Sequence, residues 1–249
     1  MPLARRVIPV ILARGLQAVK GKGFDSWRSV GQLRQAIRVY EMRQVDEVIL
    51  LDIGATPEGR GPNIDFVREF AGEWFMPVCV GGGVSTLEHF RQLLANGADK
   101  VAINTAAIET PDLIDAAANK FGAQAVVVSI DVRNGYVHTR NASCRTDRKA
   151  RSFAIECERR GAGEILLNSI DRDGTLSGYD TSLIRDVASA VSIPVVAVGG
   201  AGTYQHLKEG LDAGAHAVAA GAMWHFCDCT QKGAAQYLAA NGYHTRIAA

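Results

Sequence analysis

Met76-Pro77-Val78-Cys79-Val80-Gly81-Gly82-Gly83 and its later counterpart, Ile193-Pro194-Val195-Val196-Ala197-Val198-Gly199-Gly200, decide the fold. Each sets a short apolar run after a proline and ends it in glycines, as a buried strand does when it turns into a loop. The prolines are 117 residues apart (194 − 77). The same offset relates Thr86 to Thr203, Gly97-Ala98 to Gly214-Ala215, and Glu47 to Glu164. Matches in one register over nearly half the chain describe an internal repeat.

Outward from this pair, strand-like runs recur at Val7–Ile11, Val48–Ile53, Val101–Ile103, Ala125–Ile130, Ile165–Asn168 and Ala217–Ala220, with Val78–Val80 and Val195–Val198 completing the set. Helical spacing separates them, over Asn63–Trp74, Thr86–Ala95, Pro111–Phe121, Ser182–Val191 and Tyr204–Ala213. Eight apolar strands followed by helices predict a parallel sheet covered on both faces and closed into a (β/α)₈ barrel. The 249 residues fit one such barrel, which typically takes about 250. We read residues 1–249 as a single domain, with half-barrels at about 1–122 and 123–249.

Bulk properties exclude several classes. A net charge of +1 offers no electrostatic footprint for nucleic acid or an anionic membrane. The start, Met1 to Arg6, runs into an apolar strand without a signal-peptide core, and no apolar run reaches the ~18 residues of a membrane span. Five cysteines, Cys79, Cys144, Cys157, Cys227 and Cys229, form no disulfide framework, which suits a reduced cytoplasm. Cys227 and Cys229 beside His225 invite a metal reading, but C-x-C spacing is poor for structural zinc and no second ligand cluster is evident. No metal is expected.

In a barrel the loops after the strands form the active face. Gly82, Gly83, Asn104 and Thr105 follow the third and fourth strands; Asp173, Gly174, Thr175, Gly199, Gly200, Gly221 and Ala222 follow the sixth to eighth. Glycine lets backbone amides approach a phosphate, and hydroxyls add donors. Two related sets on opposite sides of the mouth predict a ligand with a phosphate at each end. Turns between strand and helix also need glycine, and one such set would read as that alone; two related sets at equivalent ends of the half-barrels favour phosphate binding.

Several motifs carry a family resemblance. Asp171-Arg172-Asp173-Gly174-Thr175, Gly178-Tyr179-Asp180, Gly199-Gly200-Ala201-Gly202 and Gly161-Ala162-Gly163-Glu164-Ile165-Leu166-Leu167 resemble the cyclase subunit family of imidazole glycerol phosphate synthase, from Arg6 to Arg246. The resemblance implies histidine biosynthesis, a class I glutaminase docked on the N-terminal face, and ammonia passing through the barrel to a bisphosphorylated ribulosyl aminoimidazole. It implies no cofactor. It also implies two aspartates as general acid and base. Asp131 matches one of them, and the other position holds Leu12. Lys20 matches a residue of the mobile loop after the first strand. Arg6, Glu47, Lys100 and Glu164 match a charged gate at the entrance of the ammonia passage, and Asp99 matches a residue facing the glutaminase.

Other departures gather near the mouth: Asn168 for threonine, Val198 for serine, and a loop from Arg133 to Arg148 without the family's Gly- and Lys-rich turn. Leu12 cannot carry a proton, and losing one general acid or base typically costs ~10²–10⁴-fold in rate. A kept gate with an altered catalyst resembles the branch serving surface-polysaccharide sugar amidation, in which barrel and glutaminase feed ammonia to an ATP-using protein. The alternatives are an authentic histidine-pathway cyclase and a non-catalytic scaffold for the glutaminase. His89, His206, His216 and His244 are expected on the outer surface, His225 near the mouth, and Trp27, Trp74 and Trp224 in packing.

Overall fold

The repeat with its 117-residue offset is written into the hydrogen bonds of the computed structural model, which describes residues 4–72 and 74–246. Met1 to Leu3, part of the stretch read for a leader, lie outside them. In chain order the elements of the first half are β1 (Arg6–Arg14), β2 (Gln17–Lys22), β3 (Asp25–Gln32), α1 (Leu33–Met42), β4 (Val48–Asp52), α2 (Ile64–Phe70), β5 (Val78–Gly81), α3 (Leu87–Ala95), β6 (Lys100–Ile103), α4 (Thr105–Glu109) and α5 (Asp112–Phe121). The second half continues with β7 (Val126–Arg133), β8 (Tyr136–Thr139), β9 (Cys144–Lys149), α6 (Ala150–Arg159), β10 (Glu164–Ser169), α7 (Thr181–Ala188), β11 (Val195–Val198), α8 (Tyr204–Asp212), β12 (Ala217–Ala220), α9 (Met223–Phe226) and α10 (Gln231–Ala240).

Eight strands, β1, β4, β5, β6, β7, β10, β11 and β12, pair in parallel, and β12 on β1 closes the ring. The predicted (β/α)₈ barrel is the fold. Its outer core lies between strands and helices. In α1, for example, Leu33, Ile37 and Tyr40 recur at helical spacing and are all buried. A second cluster fills the barrel interior with Ile8, Val10, Ile49, Cys79, Ala102, Val127, Leu166, Val196 and the alanines 217 and 219.

The halves use the same fixings. Asn63 and Asp180 cap α2 and α7 by accepting from Phe66 N and Leu183 N, and Thr86 and Thr203 cap α3 and α8. Val48 N donates to Pro77 O, and Ile165 N to Pro194 O, both at 2.9 Å. Asp99 Oδ2 accepts from Val78 N, where His216 Nδ1 accepts from Val195 N. Each member lies 117 residues after its mate.

Two hairpins depart from the expected pattern. The residues after the first and fifth barrel strands continue upward and fold back as antiparallel β2–β3 and β8–β9. Asn134 (φ 53°) and Gly135 (φ 76°) supply the left-handed pair of a tight two-residue turn between β7 and β8. Arg133–Arg148 is therefore mostly sheet, not loop. The expected helix Asn63–Trp74 stops at Phe70, and Glu73 lies outside the described residues. Helices α1, α4, α6, α9 and α10 fall outside the ranges named from the sequence, although a helix was expected after every strand.

Candidate active site

The polar residues gather at the two ends of the barrel. At the floor, where strands begin, Arg6, Glu47, Lys100 and Glu164 join in a closed ring of alternating charge. Arg6 bridges Glu47 and Glu164 with its two terminal nitrogens. Lys100 Nζ reaches Glu47 Oε1 at 2.9 Å and Glu164 Oε2 at 2.8 Å. The Glu47 and Glu164 side chains are only 3% and 8% exposed, and buried carboxylates of this kind are retained only when paired. Burial alone would raise the Glu164 pKa, yet the hydrogen bonds and charges of Arg6 and Lys100 hold it below its usual value. Burial pulls Lys100 down, and the two glutamates more than offset that. Cys79 sits within reach of these charges, and burial pushes its thiol well up, leaving a neutral packing group. Asp99 is exposed at the same end, and it also caps the start of β5.

At the other end one cavity is lined by Leu12, Lys20, Leu51, Asp131, Asn168, Asp173 and the glycine-bearing loops. Gly82, Gly83, Asn104, Thr105, Gly174, Gly199, Gly200, Gly221 and Ala222 all reach it. Thr175 does not: it is absent from the cavity wall, and its hydroxyl bonds Arg172 O and Ser177 Oγ, both at 2.7 Å. The Asn104 side-chain amide is committed, donating to Ser129 O and His138 O.

Glycine here has a packing cause too. A Cβ on Gly82 would stand 2.2 Å from Asp52 O, and one on Gly199 would stand 2.9 Å from Ser169 O. These are equivalent clashes, each against the end of a neighbouring strand.

Lys20 needs correction. It lies in strand β2, not in a mobile loop, and is 4% exposed, with Nζ donating to Val10 O at 2.8 Å. Burial lowers its pKa to about 8, against the nearby charge of Asp173. Asp173 lines the same cavity, and its charge acts on this lysine. Burial raises its pKa to about 6, with Lys20 and the Gly174 amide opposing. Asp131 is 8% exposed and accepts from Ser129 Oγ at 3.3 Å. Burial lifts its pKa to about 7, opposed by that hydrogen bond and helped by the charge of Asp173. A carboxyl poised there can both give and take a proton near neutrality.

The sequence reading passed over several residues at the mouth. Asn141, left-handed at φ 58°, reaches from the β8–β9 turn to Ile53 O at 2.7 Å. His138 is buried beside Asp131 across the hairpin. Asn134-Gly135 between two β-rich runs was the available signal for both. Phe24 and Trp27 of the first hairpin also line the cavity; His225 does not. His89, His206 and His216 are half-buried, not on the open surface. Trp74 and Trp224 are packed as expected, with unpartnered indole nitrogens. Among the described residues no group of three or more His, Cys, Asp or Glu side chains is gathered to hold a metal, and no helix is long and apolar enough to cross a membrane.

A family model described as "Histidine biosynthesis protein" matches residues 6–230. The chain is 43% identical over 250 residues to imidazole glycerol phosphate synthase subunit HisF of Dictyoglomus thermophilum, covering 98% of this chain and 99% of that one. The chain belongs to the HisF family. Proteins of the same name from Chlorobaculum parvum and Prosthecochloris aestuarii are 42% and 43% identical, over 98% of this chain and all of theirs.

Within this HisF-family barrel the strand register fixes which residues are equivalent. Leu12 pairs with Leu51 on β4, and Asp131 pairs with Asn168 on β10, while 168 − 51 returns the offset of 117. Leu12 thus holds the place in the first half that Asp131 holds in the second. Their own offset is 119 (131 − 12), against 117 at the helix starts Leu33 and Ala150, because the first hairpin is two residues longer.

Proposed function

We propose that this chain is the synthase subunit of a glutaminase pair, taking ammonia at the charged floor of its barrel and releasing it beside a phosphorylated ligand at the mouth. The observation that carries the reading is the closed ring of Arg6, Glu47, Lys100 and Glu164 at the opposite end of the same strands that bear the mouth residues. Glu164 and Asn168 share the inner face of β10 four residues apart, about 13 Å along a strand. A barrel that only had to be stable would do as well with apolar side chains there.

In this reading the ring is a gate, Asp99 belongs to the glutaminase-docking face, and the glycine loops take the phosphates. Lys20 and Asp173 hold the first hairpin against the mouth, and Asp131 moves protons at the reacting ligand.

Two destinations for the ammonia remain, each favoured by a particular observation. The names of the relatives favour ring closure on a bisphosphorylated ribulosyl aminoimidazole, in histidine synthesis. Leu12 beside Leu51 favours transfer to an ATP-using protein that amidates a surface sugar, since the first half of the mouth carries no acid or base at that position.

Turnover of the ribulosyl aminoimidazole bisphosphate in ammonium chloride, native chain against Leu12→Asp, separates them. An inert native chain with a weakly active variant supports delivery elsewhere; a fully active native chain supports ring closure. A class I glutaminase from the same cell that neither binds the chain nor changes its glutamine hydrolysis on titration would sink the shared reading.

A further inference from the structure

The two halves of the mouth differ in polarity position by position. Val10, Leu12 and Val19 stand where the second half has Ser129, Asp131 and His138, each 119 residues on; Leu51 stands where it has Asn168. On the second-half side Ser129 bonds Asp131, Asn168 lines the cavity, and its Oδ1 is buried with no partner. On the first-half side nothing at these positions donates or accepts through a side chain. Leu12 and Leu51 are half-buried and line the cavity, as do Ile53, Phe24 and Trp27, with Lys20 and Asp52 the charged groups of the first half that also reach it. Val19, opposite Leu12 on β2, backs it and is buried.

We propose that this wall is an apolar subsite, taking an alkyl-bearing part of a phosphorylated ligand while the ligand's N–H or O–H groups face Asn168 and Asp131. The proposal rests on the phosphate reading above and adds the ligand's shape of polarity. A ligand hydroxylated on every side would press donors against Leu12 and Leu51 and leave them unpaired, so it is selected against. A ligand with an alkyl or acyl-methyl group on that side removes apolar surface from water instead. At four equivalent positions the first half is apolar where the second is polar, so the contrast extends beyond one carboxylate.

The test is binding of inorganic phosphate, methyl phosphate, ethyl phosphate and n-butyl phosphate to the full chain by calorimetry. Methyl NMR of labelled leucines reports the location. Affinity is expected to rise about fourfold per methylene across the series, the equivalent of about 0.8 kcal/mol each, with the Leu12 and Leu51 methyl signals shifting for butyl phosphate and not for inorganic phosphate. In Leu12→Asn/Leu51→Asn the ratio of butyl to inorganic phosphate affinity should collapse toward one. A flat series, or a rise that survives in the double variant, overturns the subsite. Should inorganic phosphate fail to bind, the phosphate reading fails, and n-butanol then probes the same methyl signals. Silence of Leu12 and Leu51 toward n-butanol would overturn the subsite independently.

Discussion

Leu12 and Asp131 occupy equivalent places at the top of two half-barrels, Leu12 beside Leu51 and Asp131 beside Asn168 in the same parallel register. One side of the mouth is an apolar pair and the other a carboxyl with an amide. An aspartate put at position 12 would therefore meet Leu51 and Val19, not the polar neighbours that its counterpart has.

Leu12→Asp should consequently cost stability in a pH-dependent way. Its folded pKa will be raised by the apolar surroundings, so the penalty is absent below the unfolded value of about 3.9 and grows as pH climbs toward the folded one. We expect a loss of about 1–3 kcal/mol at pH 8 relative to pH 4, read by urea unfolding at both. Adding Leu51→Asn should return part of it; an unchanged loss would show that Leu51 is not the neighbour that matters.

Asp131→Asn should do the opposite. Wild-type Asp131 titrates at about 7 when folded because it is buried, well above its unfolded value. Its contribution is thus fully present at low pH and is lost as pH rises through about 4 to 7. The asparagine variant escapes this loss. Its unfolding free energy should gain on wild type across that window and level off above it, by an amount on the order of a few kcal/mol, read as a rising difference in melting temperature. If Asp131 moves protons, turnover should fall by ~10²–10⁴-fold in the same variant. Parallel melting curves at all pH values would contradict the buried titration.

The barrel was legible because eight buried parallel strands leave continuous apolar runs, and because the Pro77 and Pro194 segments repeat with everything around them. The two hairpins were not. β3 and β9 are largely exposed, with compositions such as Asp25-Ser26-Trp27-Arg28 and Arg145-Thr146-Asp147-Arg148, so they carry no apolar alternation to read. Their order comes from pairing with β2 and β8. Lys20 was put in a loop by the resemblance alone, and only the packed hairpin shows its ammonium held on Val10 O. Leu12 could be placed from sequence, but its partner Leu51 could not, since strand register is a three-dimensional fact.

Opening the floor ring at one corner should be expensive. Glu164→Gln leaves Arg6 and Lys100 sharing Glu47 alone, two cations on one buried carboxylate. Removing one member of a buried pair costs about 3–5 kcal/mol. The lower end applies here, because the Arg6 and Lys100 side chains retain 26% and 21% exposure. Lys100→Met with Glu164→Leu keeps Arg6 and Glu47 balanced, so this double variant should be more stable than Glu164→Gln. Equal losses for the two would mean the ring is held by packing and not by charge.

The tip of the first hairpin meets the turn after β10 in a backbone contact that leaves no room for a side chain. Gly23 N donates to Asp173 O at 2.9 Å, and a Cβ on Gly174 would stand 2.1 Å from Gly21 O, with φ at 70°. Alanine at position 174 must therefore push β2 away from the turn and also hold a left-handed backbone, which costs more than about 1 kcal/mol. β3 is largely exposed, so the strain should be relieved in the hairpin and not in the barrel. Gly174→Ala should keep the wild-type circular dichroism while trypsin cuts faster at Lys20, Lys22 and Arg28, and the Lys20 ammonium, released from Val10 O, should return toward its ordinary pKa of about 10.4. Unchanged cleavage at those three sites would mean that the hairpin is anchored elsewhere, through Arg133 Nη2 on Gly23 O, the other bond that reaches its tip.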